Sequence, residues 1–257
     1  MGAGDIGWCG IPGANSTSIL LSSELFAQAT IFTAGDNAYP SGTARDFREC
    51  YDPWWGKYKD RTRPVAGNHD YEQPNAGPYF DYFGDRAGPR GLGYYTYMVG
   101  TWRVIALNSE INKAPGSTQM RWLEDELRNN PVECTVAIWH RPLFSSGPNG
   151  PNPEMREAYR LLVDFRAEVV INGHDHLYER FFPQDQDGNP TTTRGLRQFT
   201  VGTGGAELYQ FRSPMRNSEV RISTWGLLKL ELLPGLYNWQ FVPVGGAGDS
   251  GTGTCRS

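Results

Sequence analysis

The histidines of this chain lie in short motifs rich in glycine, asparagine and aspartate, and there are four of them in 257 residues. Two aspartates, Asp5 and Asp36, stand in similar settings. Carboxylates and imidazoles suit divalent or trivalent first-row ions, and one carboxylate can bridge two ions roughly 3.5 to 4 Å apart. The distribution indicates a two-metal hydrolytic centre built from Asp5, Asp36, His69, His140, His174 and His176.

The spacing of these residues supports a shared site. Asp36 is the natural bridging carboxylate of the series. His174 and His176 are separated by one residue, so in a strand both rings project from one face while Asp175 turns away. In a loop the same spacing still lets the rings converge. Glycines before several of these residues allow sharp turns and a close approach of the backbone to the ions.

The motifs also follow a definite order, which carries more weight than any one of them. They are Gly-Asp5-Ile-Gly, Gly-Asp36-Asn-Ala-Tyr39, Gly-Asn68-His69-Asp70, Trp-His140-Arg-Pro and Gly-His174-Asp-His176. This series resembles the calcineurin-like metallophosphoesterases, and Tyr39 makes it similar to their purple acid phosphatase branch. The resemblance runs from Gly4 to Arg180, about two thirds of the chain.

The resemblance implies two ions with one shared ligand. The first, expected to be Fe(III), would be held by Asp5, Asp36, Tyr39 and His176. The second, a divalent Fe, Zn or Mn ion, would be held by Asp36, Asn68, His140 and His174.

The resemblance also implies roles at the substrate. His69 would face the phosphate rather than the ions, Asp70 would hold its ring, and Asn68 would touch both ion and substrate. Arg141 is predicted either to touch the substrate or to form a structural salt bridge. Since the other histidines would be ligands, His69 alone is left as a histidine acid. Ala137 replaces the valine usual in the family, a change of packing with little chemical effect.

The activity that the resemblance implies is hydrolysis of phosphate monoesters by attack of a metal-bound hydroxide. A phosphodiesterase with the same metal centre is the main alternative. A protein that kept the metal cage and lost catalysis is a further one, although the complete set of ligands disfavours it.

The pattern of elements predicts a layered α/β fold in one domain, residues 1–257. Buried strands are expected at 29–34, 102–107, 135–139 and 168–171, with amphipathic helices that begin after Ser117 and at Pro153. Runs at 228–232 and 237–242 predict a hairpin at the closing edge of a sheet, and the glycine-rich stretch 245–253 predicts a loop. The family resemblance implies two mixed β-sheets flanked by helices.

Bulk properties limit the partners. The net charge of −4 and the lack of a Lys/Arg run disfavour a nucleic-acid-binding module. No stretch approaches the roughly 18 to 20 apolar residues that span a membrane. A small phosphate ester is therefore the expected partner, and the sequence leaves the oligomeric state open.

The cysteines bear on the compartment. Cys9, Cys50, Cys134 and Cys255 form no CxxC pair, which leaves two disulfides or four free thiols. Two disulfides in an exported enzyme are the preferred interpretation, because a crosslink at Cys255 would hold a terminal segment in place. On that interpretation we expect a secreted or periplasmic protein, and because no charged and then apolar leader follows Met1, its signal peptide is expected to be absent from this sequence.

Overall fold

The computed structural model describes residues 1–255, and within this range the backbone forms thirteen strands and six α-helices. The strands are β1 (Gly2–Ala3), β2 (Ile31–Ala34), β3 (Thr62–Val65), β4 (Tyr95–Val99), β5 (Trp102–Ala106), β6 (Cys134–Ile138), β7 (Val169–Asn172), β8 (Tyr178–Phe181), β9 (Arg197–Val201), β10 (Ser218–Ile222), β11 (Gly226–Leu233), β12 (Leu236–Pro243) and β13 (Asp249–Thr254). The helices are α1 (Gly13–Leu21), α2 (Ala44–Asp46), α3 (Asp52–Trp55), α4 (Gly77–Phe83), α5 (Thr118–Asn129) and α6 (Arg156–Asp164).

The strands form two mixed sheets. The first has the order β13-β12-β11-β1-β2-β3, and the second has the order β10-β8-β9-β7-β6-β5-β4. Strands β1, β2 and β3 run parallel in the first sheet, as do β5, β6, β7 and β9 in the second. The predicted α/β fold with two mixed sheets flanked by helices is confirmed, and the four predicted strands are present with ends shifted by one or two residues.

The core lies in two layers because the second sheet is covered on both faces. In β6, Val136 belongs to the apolar cluster between the sheets, together with Ile31 of the first sheet. The next residue, Ala137, points the other way and packs in a cluster with Leu123 of α5 and Leu162 of α6. This alternation is what a strand buried on both faces requires.

The two predicted amphipathic helices cover this sheet: α5 begins where it was predicted, and α6 begins three residues after the predicted Pro153. The Ser117 side chain accepts a hydrogen bond from the backbone N–H of Met120 and caps α5, whose Leu123 and Leu127 are buried. Pro153 opens a short 3-10 turn, Pro153–Met155, that leads into α6. No helix in residues 1–255 is long and apolar enough to cross a membrane.

The C-terminal hairpin is present, but its predicted position at the sheet edge is wrong. Strands β11 and β12 pair across the Pro234-Gly235 turn, and the edge is formed by β13, within the stretch predicted to be a loop. The glycines there belong to a strand because aromatic rings cover them. A Cβ on Gly251 would lie 2.2 Å from Trp239, and one on Gly253 would lie 2.3 Å from Tyr237.

Two disulfides form, as the preferred interpretation of the cysteines predicted. Cys9 pairs with Cys50 and ties the loop after β1 to the helical turn Phe47–Tyr51. Cys134, at the start of β6, pairs with Cys255, which follows β13. The second bridge therefore joins the two sheets.

Candidate metal centre

The parallel strands of both sheets deliver the predicted ligands to one place. Asp5 follows β1, Asp36 follows β2 and Asn68 follows β3, all in the first sheet. His140 follows β6 and His174 follows β7 in the second sheet. Since the carboxyl ends of parallel strands share an edge, these side chains meet where the corresponding edges of the two sheets lie together.

One group of donor atoms surrounds the hydroxyl of Tyr39. Its oxygen lies 2.9 Å from Asp5 Oδ1, 3.1 Å from Asp36 Oδ2 and 3.0 Å from His176 Nε2. A phenol has one proton to donate, so it cannot satisfy all three partners at once. Two carboxylates, an imidazole and a phenol oxygen form a ligand set that suits a trivalent first-row ion.

A second group of donor atoms surrounds His140. Its Nε2 lies 3.2 Å from Asp36 Oδ2, 3.1 Å from Asn68 Oδ1 and 3.2 Å from His174 Nδ1. Asp36, His140 and His174 offer ligand atoms that all lie within 4.8 Å of one another. Because Asp36 Oδ2 is common to both groups, its carboxylate can bridge two ions.

Hydrogen bonds to carbonyl oxygens fix the orientation of two of these rings. His140 Nδ1 lies 2.8 Å from the oxygen of Ala34, and His176 Nδ1 lies 2.6 Å from that of Glu207. A carbonyl oxygen only accepts, so each Nδ1 carries a proton and Nε2 is the ring nitrogen that faces the centre, where its lone pair is available once its own proton has left. Ligand histidines in metal sites are oriented in this way, and the residues present therefore fit a metal pair.

The electrostatics of the centre favour a cation. Burial alone would lower the pKa of His140, but the charge and hydrogen bond of Asp36 raise it to about 10. Burial and the positive charges of His140 and Arg141 lower the pKa of His174 to about 2, so that ring stays neutral. Burial and the nearby carboxylates raise the pKa of Tyr39, so without a bound cation the phenol keeps its proton.

Backbone conformation and glycines bring the ligands close together. Asp5, Asp36 and His174 all have positive φ angles, of 60°, 50° and 72°, which non-glycine residues seldom adopt. A Cβ on Gly67 would lie 2.2 Å from Asp36 Oδ1, and one on Gly35 would lie 2.4 Å from His140 Nδ1. Such strain is typical of functional sites, where the surrounding structure holds it in place.

His69 lies at the rim of this cluster. Its ring is 29% exposed, and Nε2 lies 3.9 Å from Asp36 Oδ2. Nδ1 lies 2.5 Å from the carbonyl oxygen of Pro40 and 3.3 Å from Glu72 Oε1. The Nδ1 proton is therefore donated away from the centre, and Nε2 is the ring nitrogen that faces Asp36.

The predicted contact between Asp70 and the ring of His69 is wrong. Asp70 is fully buried, and its carboxylate accepts hydrogen bonds from Asn37, by both backbone and side chain, and from the backbone of Gly67. Burial and the charge of Asp36 raise the pKa of Asp70 to about 7. The side chain of Asp70 points into the protein because the buried N–H groups of Asn37 and Gly67 need an acceptor. It therefore holds the loops that carry Asp36 and Asn68 against each other.

Arg141 forms the structural salt bridge that is one of the two alternatives predicted for it. Its Nε donates to both oxygens of Glu110 at 3.0 Å, which is a structural ion pair. Its Nη1 nevertheless lies 3.2 Å from His174 Nε2, at the edge of the centre. Sequence reasoning missed Glu110, although it comes shortly after β5, a position equivalent to that of the ligands.

Two aromatic residues at the centre were also missed. Trp8 stacks on the ring of Tyr39 with 4.8 Å between centroids. Tyr209 stacks on His176 with 4.0 Å between centroids and an angle of 9° between the rings. Trp8 follows the first motif and could have been noticed, whereas nothing in the sequence around Tyr209 indicates its position.

Comparison with known proteins agrees with this geometry. Residues 16–178 match the family model of the calcineurin-like phosphoesterases, a range that includes every predicted ligand except Asp5. An uncharacterized protein of Mycobacterium tuberculosis is 30% identical over 235 residues, covering 73% of this chain and 44% of that protein. Probable purple acid phosphatase 20 of Arabidopsis thaliana is 29% identical over 167 residues, covering 55% and 39%. The chain thus spans less than half the length of these curated relatives.

Solved structures show the same fold. A purple acid phosphatase from yellow lupin (Lupinus luteus) seeds superposes with a TM-score of 0.83 at 20% identity, covering 99% of this chain and 53% of its own. GAP50, the anchor in the inner membrane complex of Plasmodium, superposes with a TM-score of 0.69 at 17% identity, covering 99% and 87%. Because the family model matches more than half of its residues, the chain belongs to the calcineurin-like phosphoesterases.

Proposed function

We propose that this protein hydrolyses phosphate monoesters at a centre that holds two metal ions. The observation that supports this function is the convergence of seven donor side chains in two groups that share Asp36. When bound, the two ions would polarise the phosphoryl group and lower the pKa of the attacking water. The proposed ligands are Asp5, Asp36, Tyr39 and His176 for Fe(III), and Asp36, Asn68, His140 and His174 for a divalent Fe, Zn or Mn ion.

The remaining polar residues would bind the ester. His69 is exposed enough to meet a substrate, and its Nε2 faces the centre. We assign it the task of donating to the phosphate or protonating the leaving alcohol. The amide of Asn68 and the terminal nitrogens of Arg141 lie beside the same space and would stabilise the negative charge of the phosphoryl group.

Metal analysis and a pair of substrates test the proposal. We expect a purified, metal-loaded sample to contain two ions per chain and to turn over nitrophenyl phosphate much faster than bis(nitrophenyl) phosphate. A visible tyrosinate-to-Fe(III) charge-transfer band would identify the ion beside Tyr39. The opposite substrate preference would make the protein a phosphodiesterase, and a loaded sample inert on both esters would overturn the proposal.

Two variants separate metal binding from catalysis. Asp36→Asn weakens the only carboxylate common to both donor groups, so metal content and turnover should fall together. His69→Ala should retain both ions and lower kcat by about a hundredfold or more, the usual contribution of a general acid. Full activity of the second variant would refute the role given to His69.

We further propose that the whole of residues 1–257 forms one catalytic domain that functions in a secreted or periplasmic setting. The apolar cluster shared by both sheets supports a single domain. The two disulfides support an oxidising compartment, because cytosolic proteins seldom keep them. A small phosphate ester, rather than nucleic acid, is the proposed partner.

A further inference from the structure

A cavity of about 380 Å³ lies beside the proposed metal centre. Its wall includes His174 and Arg141, and it also includes Lys113 and Glu154. A second cavity, of about 650 Å³, shares Lys113, Pro153 and Glu154 with the first. The two cavities therefore adjoin, and Lys113 lies at their junction.

Arg141, in the wall of the smaller cavity, is held in place by an ion pair with the largely buried Glu110. Glu110 is 10% exposed, and both of its oxygens accept from Arg141 Nε at 3.0 Å. Ser109 Oγ donates to the same carboxylate at 2.8 Å. These contacts hold the terminal nitrogens of Arg141 beside His174, where the scissile phosphate binds under the proposed function.

Lys113 is held differently, by a partner that can be replaced. Its Nζ lies 2.8 Å from Glu154 Oε2, yet the Lys113 side chain is 14% exposed while that of Glu154 is 67% exposed. An ammonium group has three N–H donors, and this contact uses one of them. Water screens the exposed carboxylate, so the ion pair contributes little stability. Another anion that enters the cavity can therefore take the place of Glu154.

We infer that Lys113 binds a second anionic group of the substrate, a carboxylate or phosphate carried by the leaving alcohol. The inference rests on the proposed function, because it requires the scissile phosphate at the metal centre. Glu154 marks the position that this group occupies. The preferred substrates are accordingly phosphate monoesters of hydroxy acids or bisphosphates, and esters of uncharged alcohols are poorer substrates.

The experiment compares phenyl phosphate with meta- and para-carboxyphenyl phosphate, each of which carries one additional carboxylate. Phenylene bisphosphates, which carry a second phosphate on the ring, test whether the second anionic group is a phosphate. For Lys113→Met, the ratio of kcat/KM for the anionic ester to that for phenyl phosphate should fall about tenfold, the effect of losing one charge-assisted hydrogen bond. For Glu154→Gln the same ratio should rise, because Lys113 is then free of its competing carboxylate. Whichever anionic ester shows the larger change identifies the preferred group.

Lys57→Met is the matched control, because Lys57 is an exposed lysine that lies over the ring of Tyr58 and lines neither cavity. Its ratio should equal that of the unaltered protein. An unchanged ratio in Lys113→Met, or a lowered ratio in Glu154→Gln, would overturn the inference and leave the proposed function standing. Should Lys113→Met not fold, the exposed position of Glu154 keeps the second variant measurable. If the loaded protein hydrolyses none of the esters, the proposed function fails, and this inference fails with it.

Discussion

Removal of the bridge between Cys134 and Cys255, by serine at both positions, should destabilise the protein strongly and leave its chemistry unchanged. The bridge links residues 121 apart in sequence. In the chain-entropy model this closure restricts the unfolded chain by about 16 cal/mol/K, or about 4.9 kcal/mol at 25 °C. The matching estimate for Cys9 and Cys50, 41 residues apart, is about 3.9 kcal/mol.

The two bridges also differ in their distance from the centre along the chain. Cys134 begins β6, whereas His140 follows the opposite end of that strand. Cys9 lies four residues after Asp5 and one after Trp8, whose ring stacks on Tyr39. At a saturating metal concentration, loss of the first bridge should therefore lower the free energy of unfolding and leave turnover unchanged, whereas loss of the second should lower both.

The assay is urea unfolding followed by tryptophan fluorescence, at one fixed metal concentration because bound metal adds to apparent stability. Turnover of nitrophenyl phosphate is measured on the same samples without urea. A loss of less than about 1 kcal/mol for the Cys134/Cys255 variant would refute the entropic reasoning. A folded Cys134/Cys255 variant with reduced turnover would refute the separation of that bridge from the centre.

Three further predictions concern single positions. Tyr39→Phe should abolish the visible charge-transfer band and lower the content of the first ion, as absorbance and metal analysis would show; a retained band would exclude Tyr39 as its source. Asp249 accepts hydrogen bonds from Arg180 and Tyr178, and despite the opposing effect of burial these partners lower its pKa. The pKa of Asp249 is thus lower in the folded than in the unfolded protein, and Asp249→Asn should lower the free energy of unfolding by roughly 2 kcal/mol at pH 7. The difference between the variant and the unaltered protein should shrink below about pH 4, where the carboxylate of the unfolded chain becomes protonated. A difference that does not change between pH 7 and pH 2 would contradict this prediction. Gly251→Val should detach β13 from β12, because even a Cβ at this position would lie 2.2 Å from the ring of Trp239. Amide hydrogen exchange should then be faster in Asp249–Thr254 and unaltered in β6.

Much of the centre was predictable because its residues lie in local motifs. His140 and His174 each follow a strand with a clear apolar pattern, and these two strands pair in parallel, so the meeting of the two rings at one edge follows from parallel pairing. The cap at Ser117 was predictable for the same reason, since it depends on residues three apart in sequence. The pairing of the cysteines was left open, because spacing alone does not determine it.

The features that were missed depend on contacts between distant segments. Strand β13 is rich in glycine, which disfavours strands locally, and it forms because the rings of β12 cover those glycines. Asp70 turns inward because Asn37, 33 residues earlier, needs an acceptor for its N–H groups. The salt bridge of Arg141 was one of two predicted alternatives, but its partner Glu110 was not identified, because the contact joins the ends of two neighbouring strands that are distant in sequence.

The division of the ligands between the two sheets has a thermodynamic consequence. Under the proposed assignment each ion takes ligands from both sheets: His176 joins Asp5 and Tyr39 at the first, and His140 joins Asn68 at the second. Any opening of the interface between the sheets then releases metal, and any bound metal opposes that opening by RT ln(1 + [M]/Kd). Metal affinity and cohesion of the fold are thus one coupled equilibrium, and a substitution in the apolar layer between the sheets, far from any ligand, weakens metal retention.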